Sequence, residues 1–236
     1  MKNNLYKKSN KNLILEFNGL PGSGKTTNSS VLEAELNKLE IPVVSYSDFL
    51  SNEGKNNILR LTKALLNVPF FITIKITLLG FSLKNNDKLW RILTCIYVFE
   101  KYILFNKEAT GVLIVDQGII QGIISLFHLN NHISRKQERN INSILSFMNK
   151  KNVIIVNSIC EVGLVCERLS QRKHNGSRFH DMNSMELEKN LMIQNSLFDK
   201  IRNLIIQKNM SQININMEST PYDNYKFVLS RIMELL

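Results

Sequence analysis

One short motif near the N-terminus restricts the fold of this chain more than any other feature. Residues 19–26 read Gly-Leu-Pro-Gly-Ser-Gly-Lys-Thr, with an apolar run at residues 13–17 before them and helical spacing of apolar residues after them, over residues 25–39. Glycines let a backbone turn tightly with its N–H groups pointing inward, and the positive end of the following helix dipole adds to the same spot. The sequence therefore predicts a buried strand, an anion-binding loop and a helix in succession.

The lysine and the threonine of this loop give it a specific chemistry. In loops of the form G-x-x-x-x-G-K-[ST], the backbone N–H groups surround nucleotide phosphates, so Lys25 can reach the β- and γ-phosphates and the Thr26 hydroxyl can ligate Mg²⁺. Thr27 can add a contact to the α-phosphate. We therefore expect ATP and Mg²⁺ as cofactors. The residues expected to hold the nucleotide are Gly19, Leu20, Pro21, Gly22, Ser23, Gly24, Lys25, Thr26 and Thr27.

Strand and helix patterns alternate along the rest of the chain. Apolar runs predict further strands at residues 42–46, 112–115 and 153–156 and a weaker one at residues 212–216. Helical patterns cover residues 57–66, 87–106, 134–147, 184–207 and 221–236. This alternation predicts an α/β fold with a mainly parallel sheet, and the absence of a linker or repeat favours one domain over residues 1–236.

An apolar stretch at residues 64–83 raises the question of a membrane span. Pro69, Lys75 and Gly80 interrupt it, and a lysine near the centre of a spanning helix costs roughly 2.5–3.5 kcal/mol on insertion scales. We therefore predict a buried or broken helix pair here, and no membrane contact.

Composition bounds the compartment and the partners. Cys95, Cys160 and Cys166 form no C-x-x-C pair, and the four histidines lack metal-ligand spacing with them, so neither a disulfide framework nor a zinc site is expected. A basic tail, residues 1–11, precedes an apolar run too short for a signal peptide, which predicts a cytoplasmic protein. The net charge of +10 fits an anionic partner without specifying whether it is a nucleotide, a nucleic acid or a lipid surface.

Acidic residues follow two of the predicted strands. Asp116 comes directly after residues 112–115, and Asp48 follows residues 42–46. Ligands of open α/β sheets bind outside the carboxyl ends of the strands. Asp116 can therefore hold Mg²⁺ through water or accept a proton from an attacking hydroxyl, and Asp48 can be the base or bind the acceptor. Both acids also fit a turn or a helix cap, and the sequence leaves open which of them is the base.

A basic segment, residues 167–182, lies between the fourth predicted strand and the longest predicted helix. Arg168 and Arg172 are four residues apart and would share a helix face, with a helix break at Asn175 that leaves Arg178 on a loop. The planar guanidinium suits phosphate and can stabilise the charge of a transferring phosphoryl group. The three arginines are therefore candidate catalytic residues, with a solvated basic face as the alternative.

Together, the loop at residues 19–26 and the arginine segment resemble those of the P-loop nucleoside and nucleotide kinases, most closely the thymidylate-kinase-like branch. The resemblance implies a three-layer P-loop NTPase fold, with a five-stranded, mainly parallel sheet, helices on both faces and an arginine-containing lid at residues 167–182. It also implies transfer of the γ-phosphoryl group of Mg-ATP to a small acceptor, without a covalent enzyme intermediate. Catalytic roles then fall to Lys25, Asp116, Arg168, Arg172 and Arg178, and the Mg²⁺ contacts to Thr26 and Asp116.

The chain departs from this family directly after the acid of the third strand. Thymidylate and deoxynucleoside kinases have an arginine there, whereas this sequence has Gln117, which cannot supply that charge. We expect Asp48 and Gln117 to contact the acceptor, which the sequence leaves open as a nucleotide, a nucleoside, a sugar or another hydroxyl compound. The apolar stretch at residues 64–83 lies where such kinases build the acceptor pocket.

Other functions fit parts of the sequence. An ATP-binding regulatory protein would use the same loop without a transfer reaction. A GTPase would need Asn-Lys-x-Asp after the fourth strand, but residues 149–152 read Asn-Lys-Lys-Asn and precede it. A polynucleotide kinase would need a basic stripe with aromatic residues that stack on bases. Basic clusters of this kind are sparse in the sequence, so no nucleic-acid partner is expected. The oligomeric state is open, a homodimer included.

Overall fold

The computed structural model of the chain describes residues 12–45, 57–81, 88–127, 132–171 and 182–235. Within these residues, strands are interspersed with helices along the chain. The strands are β1 (Leu13–Asn18), β2 (Val43–Ser45), β3 (Val112–Val115), β4 (Val153–Ile159) and β5 (Gln212–Asn216). The helices are α1 (Lys25–Lys38), α2 (Asn57–Asn67), α3 (Phe70–Phe81), α4 (Lys88–Glu108), α5 (Ile119–Phe127), α6 (Arg135–Asn149), α7 (Val162–Ser170), α8 (Ser184–Gln207) and α9 (Pro221–Leu235).

The five described strands run parallel in one sheet, in the order β2-β3-β1-β4-β5. β1 and β3 are buried along their whole length, as expected for the near-continuous apolar runs that parallel sheets bury on both faces. Because the strands are parallel, their carboxyl ends meet at one edge of the sheet. The residues that follow β1, β3 and β4, beginning with Gly19, Asp116 and Cys160, therefore come together at that edge.

Side chains of the strands alternate between two apolar layers, one on each face of the sheet. Leu15 and Phe17 of β1 belong to a cluster that includes Leu36 of α1 and Ile232 of α9. Ile14 of β1 belongs to a larger cluster, to which the helices from α2 to α8 contribute. This arrangement confirms the predicted α/β fold, with helices on both faces of a five-stranded parallel sheet.

The apolar stretch at residues 64–83 forms a broken helix pair, as predicted, as far as the described residues reach. α2 ends at Asn67 and α3 begins at Phe70, because Pro69 has no backbone N–H and favours the start of a new helix. One side of α3 is buried through residues such as Ile72, while Phe70 is 78% exposed. No helix in the described ranges is long and apolar enough to cross a bilayer.

The helix α5 was not predicted from the sequence. Residues 119–127 carry apolar side chains at helical spacing (Ile119, Ile120, Ile123, Ile124 and Phe127) with mostly polar or small residues between them, so the periodic signal for this helix was present and the prediction did not use it. Gly122 is needed for packing, because a Cβ there would lie 2.6 Å from Cys95 Sγ of α4.

The predicted extent of α7 was wrong. We expected a helix that carries both Arg168 and Arg172 and breaks at Asn175, but α7 ends at Ser170. The Ser170 hydroxyl donates to the carbonyl of Glu167 over 2.7 Å, and the same carbonyl accepts the backbone N–H of Gln171, the residue that follows the helix. Arg172 lies outside the described residues, as do the basic tail at residues 1–11 and most of the predicted lid.

Candidate functional site

The loop after β1 turns sharply into α1. Gly22 and Gly24 have φ angles of 82° and 90°, in the left-handed region that favours glycine. A Cβ at Gly24 would also lie 2.8 Å from Met217 Cε, so a larger residue there would require the Met217 side chain to shift. The first N–H groups of α1 and the positive end of its dipole therefore face a tight loop whose left-handed positions favour glycine, which is an arrangement suited to an anion.

Lys25, the first residue of α1, places its charge inside this loop. Its Nζ donates hydrogen bonds of 2.8 Å to the carbonyl oxygens of Gly19 and of Leu20, and the residue is only 8% exposed. Burying an ammonium group is costly unless polar partners surround it. The carbonyls of Gly19 and Leu20 are two such partners, and they hold the Lys25 ammonium group inside the loop. An anion bound in the loop would lie next to this positive charge.

Thr26 and Asp116 meet at the edge of the sheet, as the sequence predicts for a Mg²⁺ site. The Thr26 hydroxyl donates a hydrogen bond of 3.1 Å to Asp116 Oδ2. A hydroxyl and a carboxylate are the hard oxygen ligands that Mg²⁺ prefers, and Mg²⁺ is usually bound by only one or two carboxylates together with water and phosphate oxygens. The described part of the chain holds no group of three or more His, Cys, Asp or Glu arranged for a metal. The oxygen donors of Thr26 and Asp116 therefore fit Mg²⁺.

Arg168 lies in the last turn of α7 and contacts the back of the loop. Its Nη2 donates to the carbonyl of Met217 over 3.0 Å, and its Nη1 lies 3.5 Å from the carbonyl of Ser23 and 3.8 Å from Cys160 Sγ. The guanidinium thus links α7, the loop after β1 and the end of β5. These backbone contacts of the predicted catalytic arginine were not foreseen from the sequence.

A cavity of about 420 Å³ opens beside the loop, within the size range of small-ligand pockets. It lies between the loop, α7 and the segment that joins β5 to α9. The residues that line the cavity include Gly24, Thr27, Arg168, Met217, Ser219 and Pro221. The predicted contact residue Thr27 and the predicted catalytic residue Arg168 therefore face the same cavity.

Three of the predicted site residues cannot be placed. Asp48, Arg172 and Arg178 lie outside the described residues. Gln117 is exposed directly after Asp116 at the same edge of the sheet. The acceptor contacts expected of Asp48 and Gln117 stay predictions.

A fully buried acid, Glu16, lies in β1 behind this site, and the sequence predictions missed it. Burial raises the pKa of Glu16 to about 7, and hydrogen bonds from Tyr102 and from the backbone of Ile120 and Ile119 lower it only in part. The signal was available, because an acid inside the otherwise apolar run at residues 13–17 has to find polar partners.

Comparison with known proteins supports the fold. No family model and no curated protein matches this chain. The solved structure of deoxyadenosine kinase from M. mycoides with bound dATP matches with a TM-score of 0.52 at 12% identity, covering 93% of this chain and 99% of that one. Shikimate kinase from Bacteroides thetaiotaomicron matches with a TM-score of 0.48 at 14% identity, covering 94% and 97%. At 12% identity, the likeness to the deoxyadenosine kinase shows the fold alone, which is the α/β fold found in P-loop kinases.

Proposed function

We propose that this protein is an ATP-dependent phosphotransferase that moves the γ-phosphoryl group of Mg-ATP to a small acceptor. The observation that carries the proposal is the 3.1 Å hydrogen bond between Thr26 and Asp116. It joins the loop that carries Lys25 to an acid at the end of the neighbouring strand. Phosphoryl transfer in P-loop enzymes relies on this pairing of a phosphate-binding loop with an acid that orients the metal or the nucleophile.

Each residue of the site has a defined role in this proposal. Lys25 and the N–H groups at the start of α1 bind the β- and γ-phosphates, and Thr26 and Asp116 would hold Mg²⁺. When bound, Mg²⁺ supplies charge neutralisation at the phosphate oxygens. Asp116 or Asp48 accepts the proton of the acceptor hydroxyl as it attacks.

The arginines belong to the same proposal. Arg168 faces the cavity beside the loop, where its planar fork of donors suits a phosphate oxygen. Arg172 and Arg178 follow it in the chain, and we infer that they close over the transferring group as a lid that excludes water. Closure of this kind completes the catalytic site only when the nucleotide is bound.

The cavity of about 420 Å³ is the proposed site of the nucleotide base and ribose. Met217 and Pro221 give it apolar surface, while Thr27 and Ser219 give it polar groups. Ligand pockets are typically apolar with a few placed polar groups. An extended nucleotide with its phosphates in the loop would direct its base away from Lys25 into this cavity.

A nucleoside or nucleotide is the proposed acceptor. The deoxyadenosine kinase that shares this fold is, by its name, a nucleoside kinase, which supports an acceptor of that class. Gln117 stands where both thymidylate and deoxynucleoside kinases have an arginine, so the acceptor contacts at this position differ from those of both groups and the choice between a nucleoside and a nucleoside monophosphate stays open. A sugar or another hydroxyl compound is the alternative acceptor, and the thymidylate-kinase-like branch, a cytoplasmic location and a homodimer stay predictions.

An acceptor screen tests the proposal. Purified protein is incubated with Mg-ATP and, separately, with nucleosides, nucleoside monophosphates and sugars, and ADP release is measured. A phosphotransferase gives ADP release that depends on one acceptor class. An ATP-binding regulatory protein would bind ATP with negligible turnover whichever acceptor is added, and that result would reject the proposed reaction.

A further inference from the structure

Glu16 is a buried acid at the centre of the sheet. It pairs in register with Val115 of β3 and Ile155 of β4, and its side chain is fully buried. An apolar residue at this position would avoid the cost of removing a carboxyl group from water. The partners of Glu16 therefore indicate what its carboxyl group does.

The partners of the Glu16 carboxylate are a tyrosine and the start of α5. Oε1 accepts a hydrogen bond of 2.6 Å from the N–H of Ile120, Oε2 accepts one of 2.7 Å from the Tyr102 hydroxyl, and the N–H of Ile119 also bonds to it. The first N–H groups of a helix have no partner inside the helix, and a carboxylate there also meets the positive end of the dipole. α5 has no acid of its own in the first turn. Glu16, which precedes Ile120 by 104 residues, therefore caps α5.

Gly118 makes room for this contact. A Cβ at Gly118 would collide with Glu16 Cγ and Cδ and would lie 2.6 Å from Oε1. The backbone of Gly118 is not in the left-handed region, so the glycine is required for space rather than for its conformation. The Glu16 side chain therefore packs directly on the residue that leads into α5.

These contacts fix the short connection that carries Asp116. Residues 116–118 alone join β3 to α5. β3 is held by β1 on one side and by β2 on the other, and Glu16 holds the start of α5. Glu16 also lies on β1, which leads into the loop of Lys25. That loop begins at Gly19, three residues after Glu16. The positions of the loop and of Asp116 therefore both depend on β1.

We propose that Glu16 is a positioning residue, which holds Gly118 and the start of α5 and thereby sets how Asp116 presents its carboxylate to Thr26. The inference rests on the proposed function, because the metal contact of Asp116 is part of that function. Glu16 acts through Asp116 and not on the nucleotide. Groups that orient the ligands of a metal are commonly important for its binding, and their loss lowers metal affinity or activity roughly 10- to 100-fold.

A cap that only stabilised the fold would behave differently from a positioning residue. Losing such a cap lowers the melting temperature and leaves the Mg²⁺ requirement of the folded molecules unchanged. Losing a positioning residue raises the Mg²⁺ concentration that the site needs and leaves metal-free ATP binding unchanged, because Lys25 and the loop are not disturbed. The Mg²⁺ requirement of ATP binding at equilibrium therefore separates the two roles.

The test uses the full chain and three variants. Glu16→Leu keeps a similar volume and removes the cap. Glu16→Gln can accept from the N–H of Ile120 through its oxygen and donate to the Tyr102 hydroxyl oxygen through its NH2 group. Gly118→Ala pushes the Glu16 side chain away. Calorimetry measures ATP binding without metal and then over a Mg²⁺ series. We expect Glu16→Leu and Gly118→Ala to raise the half-maximal Mg²⁺ concentration by about 10-fold with metal-free ATP affinity unchanged, and Glu16→Gln to stay close to wild type.

A double-mutant cycle with Asp116→Asn completes the test. Residues that act through one another are non-additive, so Glu16→Leu should change the Mg²⁺ requirement little once Asp116 is already asparagine. A folded Glu16→Leu protein with the wild-type Mg²⁺ requirement would overturn the inference while the proposed function stood. If Glu16→Leu does not fold, the same measurement on Gly118→Ala decides the question. Wild-type protein that fails to bind ATP with Mg²⁺ would overturn the proposed function, and this inference with it.

Discussion

Thr26 and Asp116 share a hydrogen bond of 3.1 Å although 90 residues separate them in the chain. Thr26 is the second residue of α1, and Asp116 follows β3 directly. Their contact is a consequence of parallel strands, because β1 and β3 are neighbours and both end at the same edge of the sheet. A hydroxyl and a carboxylate from two separate elements thus form one oxygen-lined position beside the loop of Lys25.

Replacing the Lys25 ammonium should abolish ATP binding. Lys25→Ala removes the positive charge held in the loop and leaves the carbonyls of Gly19 and Leu20 without that donor. We expect ATP affinity to fall by more than about 10-fold, the equivalent of 1.4 kcal/mol, as measured by calorimetry. Lys38→Ala is the matched control, because Lys38 lies at the other end of α1 and forms an exposed pair with Glu35. Equal ATP affinity in the Lys25→Ala and Lys38→Ala proteins would remove Lys25 from the site.

Asp116 should matter for turnover far more than for nucleotide affinity. Asp116→Asn keeps the size of the side chain and a possible bond to Thr26 but loses the negative charge that Mg²⁺ or the acceptor proton requires. We expect turnover to fall by roughly 100-fold, within the range of general acid–base effects, while metal-free ATP affinity stays the same. Glu234→Gln, which removes an exposed negative charge paired with Arg231, is the control. The reverse pattern, with ATP affinity lost and turnover kept, would make Asp116 a structural residue.

Arg168 should be sensitive even to a charge-conserving change. Arg168→Lys keeps the charge but cannot contact Met217, Ser23 and Cys160 together through one planar group. We expect a lower melting temperature, from the loss of about 1 kcal/mol of hydrogen bonding, and a higher KM for ATP. Arg231→Lys on α9, at an exposed pair, should change neither quantity. A normal KM with a lowered melting temperature would limit Arg168 to a structural role.

Ionisation of Glu16 should make the stability of the protein depend on pH. Its pKa is about 7 in the folded protein against an ordinary 4.5, so the folded protein keeps a proton that the unfolded chain loses between these values. The stability that protonated Glu16 contributes is therefore complete below pH 4.5 and is lost as the pH rises through about 7. The shift of the pKa corresponds to about 3 kcal/mol over this window.

Urea unfolding of wild type and Glu16→Gln measures this contribution. The glutamine cannot titrate, so the difference in the free energy of unfolding between the two proteins isolates the carboxyl group from other acids. We expect wild type to lose about 3 kcal/mol relative to Glu16→Gln between pH 4.5 and about 8. A difference that stays constant over this range would mean that Glu16 ionises at its ordinary pKa.

The parts of the fold that depend on local patterns were predictable from the sequence. Glycine spacing identifies the loop at residues 19–26, and the apolar run at residues 112–115 matches β3 at both ends. The meeting of Thr26 with Asp116 follows from the rule that ligands gather at the carboxyl ends of parallel strands. These features can be predicted from the order of the residues and from the expectation of a parallel sheet.

The parts that depend on distant contacts were not predictable. The start of α5 is capped by Glu16, which precedes Ile120 by 104 residues, so no acid in its own first turn marks where that helix begins. The early end of α7, at Ser170, is not revealed by the spacing of Arg168 and Arg172. The cavity beside the loop depends on the contact between Arg168 of α7 and Met217 at the end of β5, which lie far apart in the chain.

The proposed transfer of the γ-phosphoryl group to a small acceptor can be followed directly with a labelled phosphoryl group. ATP labelled in its γ-phosphoryl group is incubated with Mg²⁺, the acceptor that best stimulates ADP release, and either wild-type or Lys25→Ala protein. We expect the label to appear in the acceptor with the wild-type protein and not with Lys25→Ala. Label that stays in ATP or appears only as inorganic phosphate with every acceptor tested would contradict the proposed transfer.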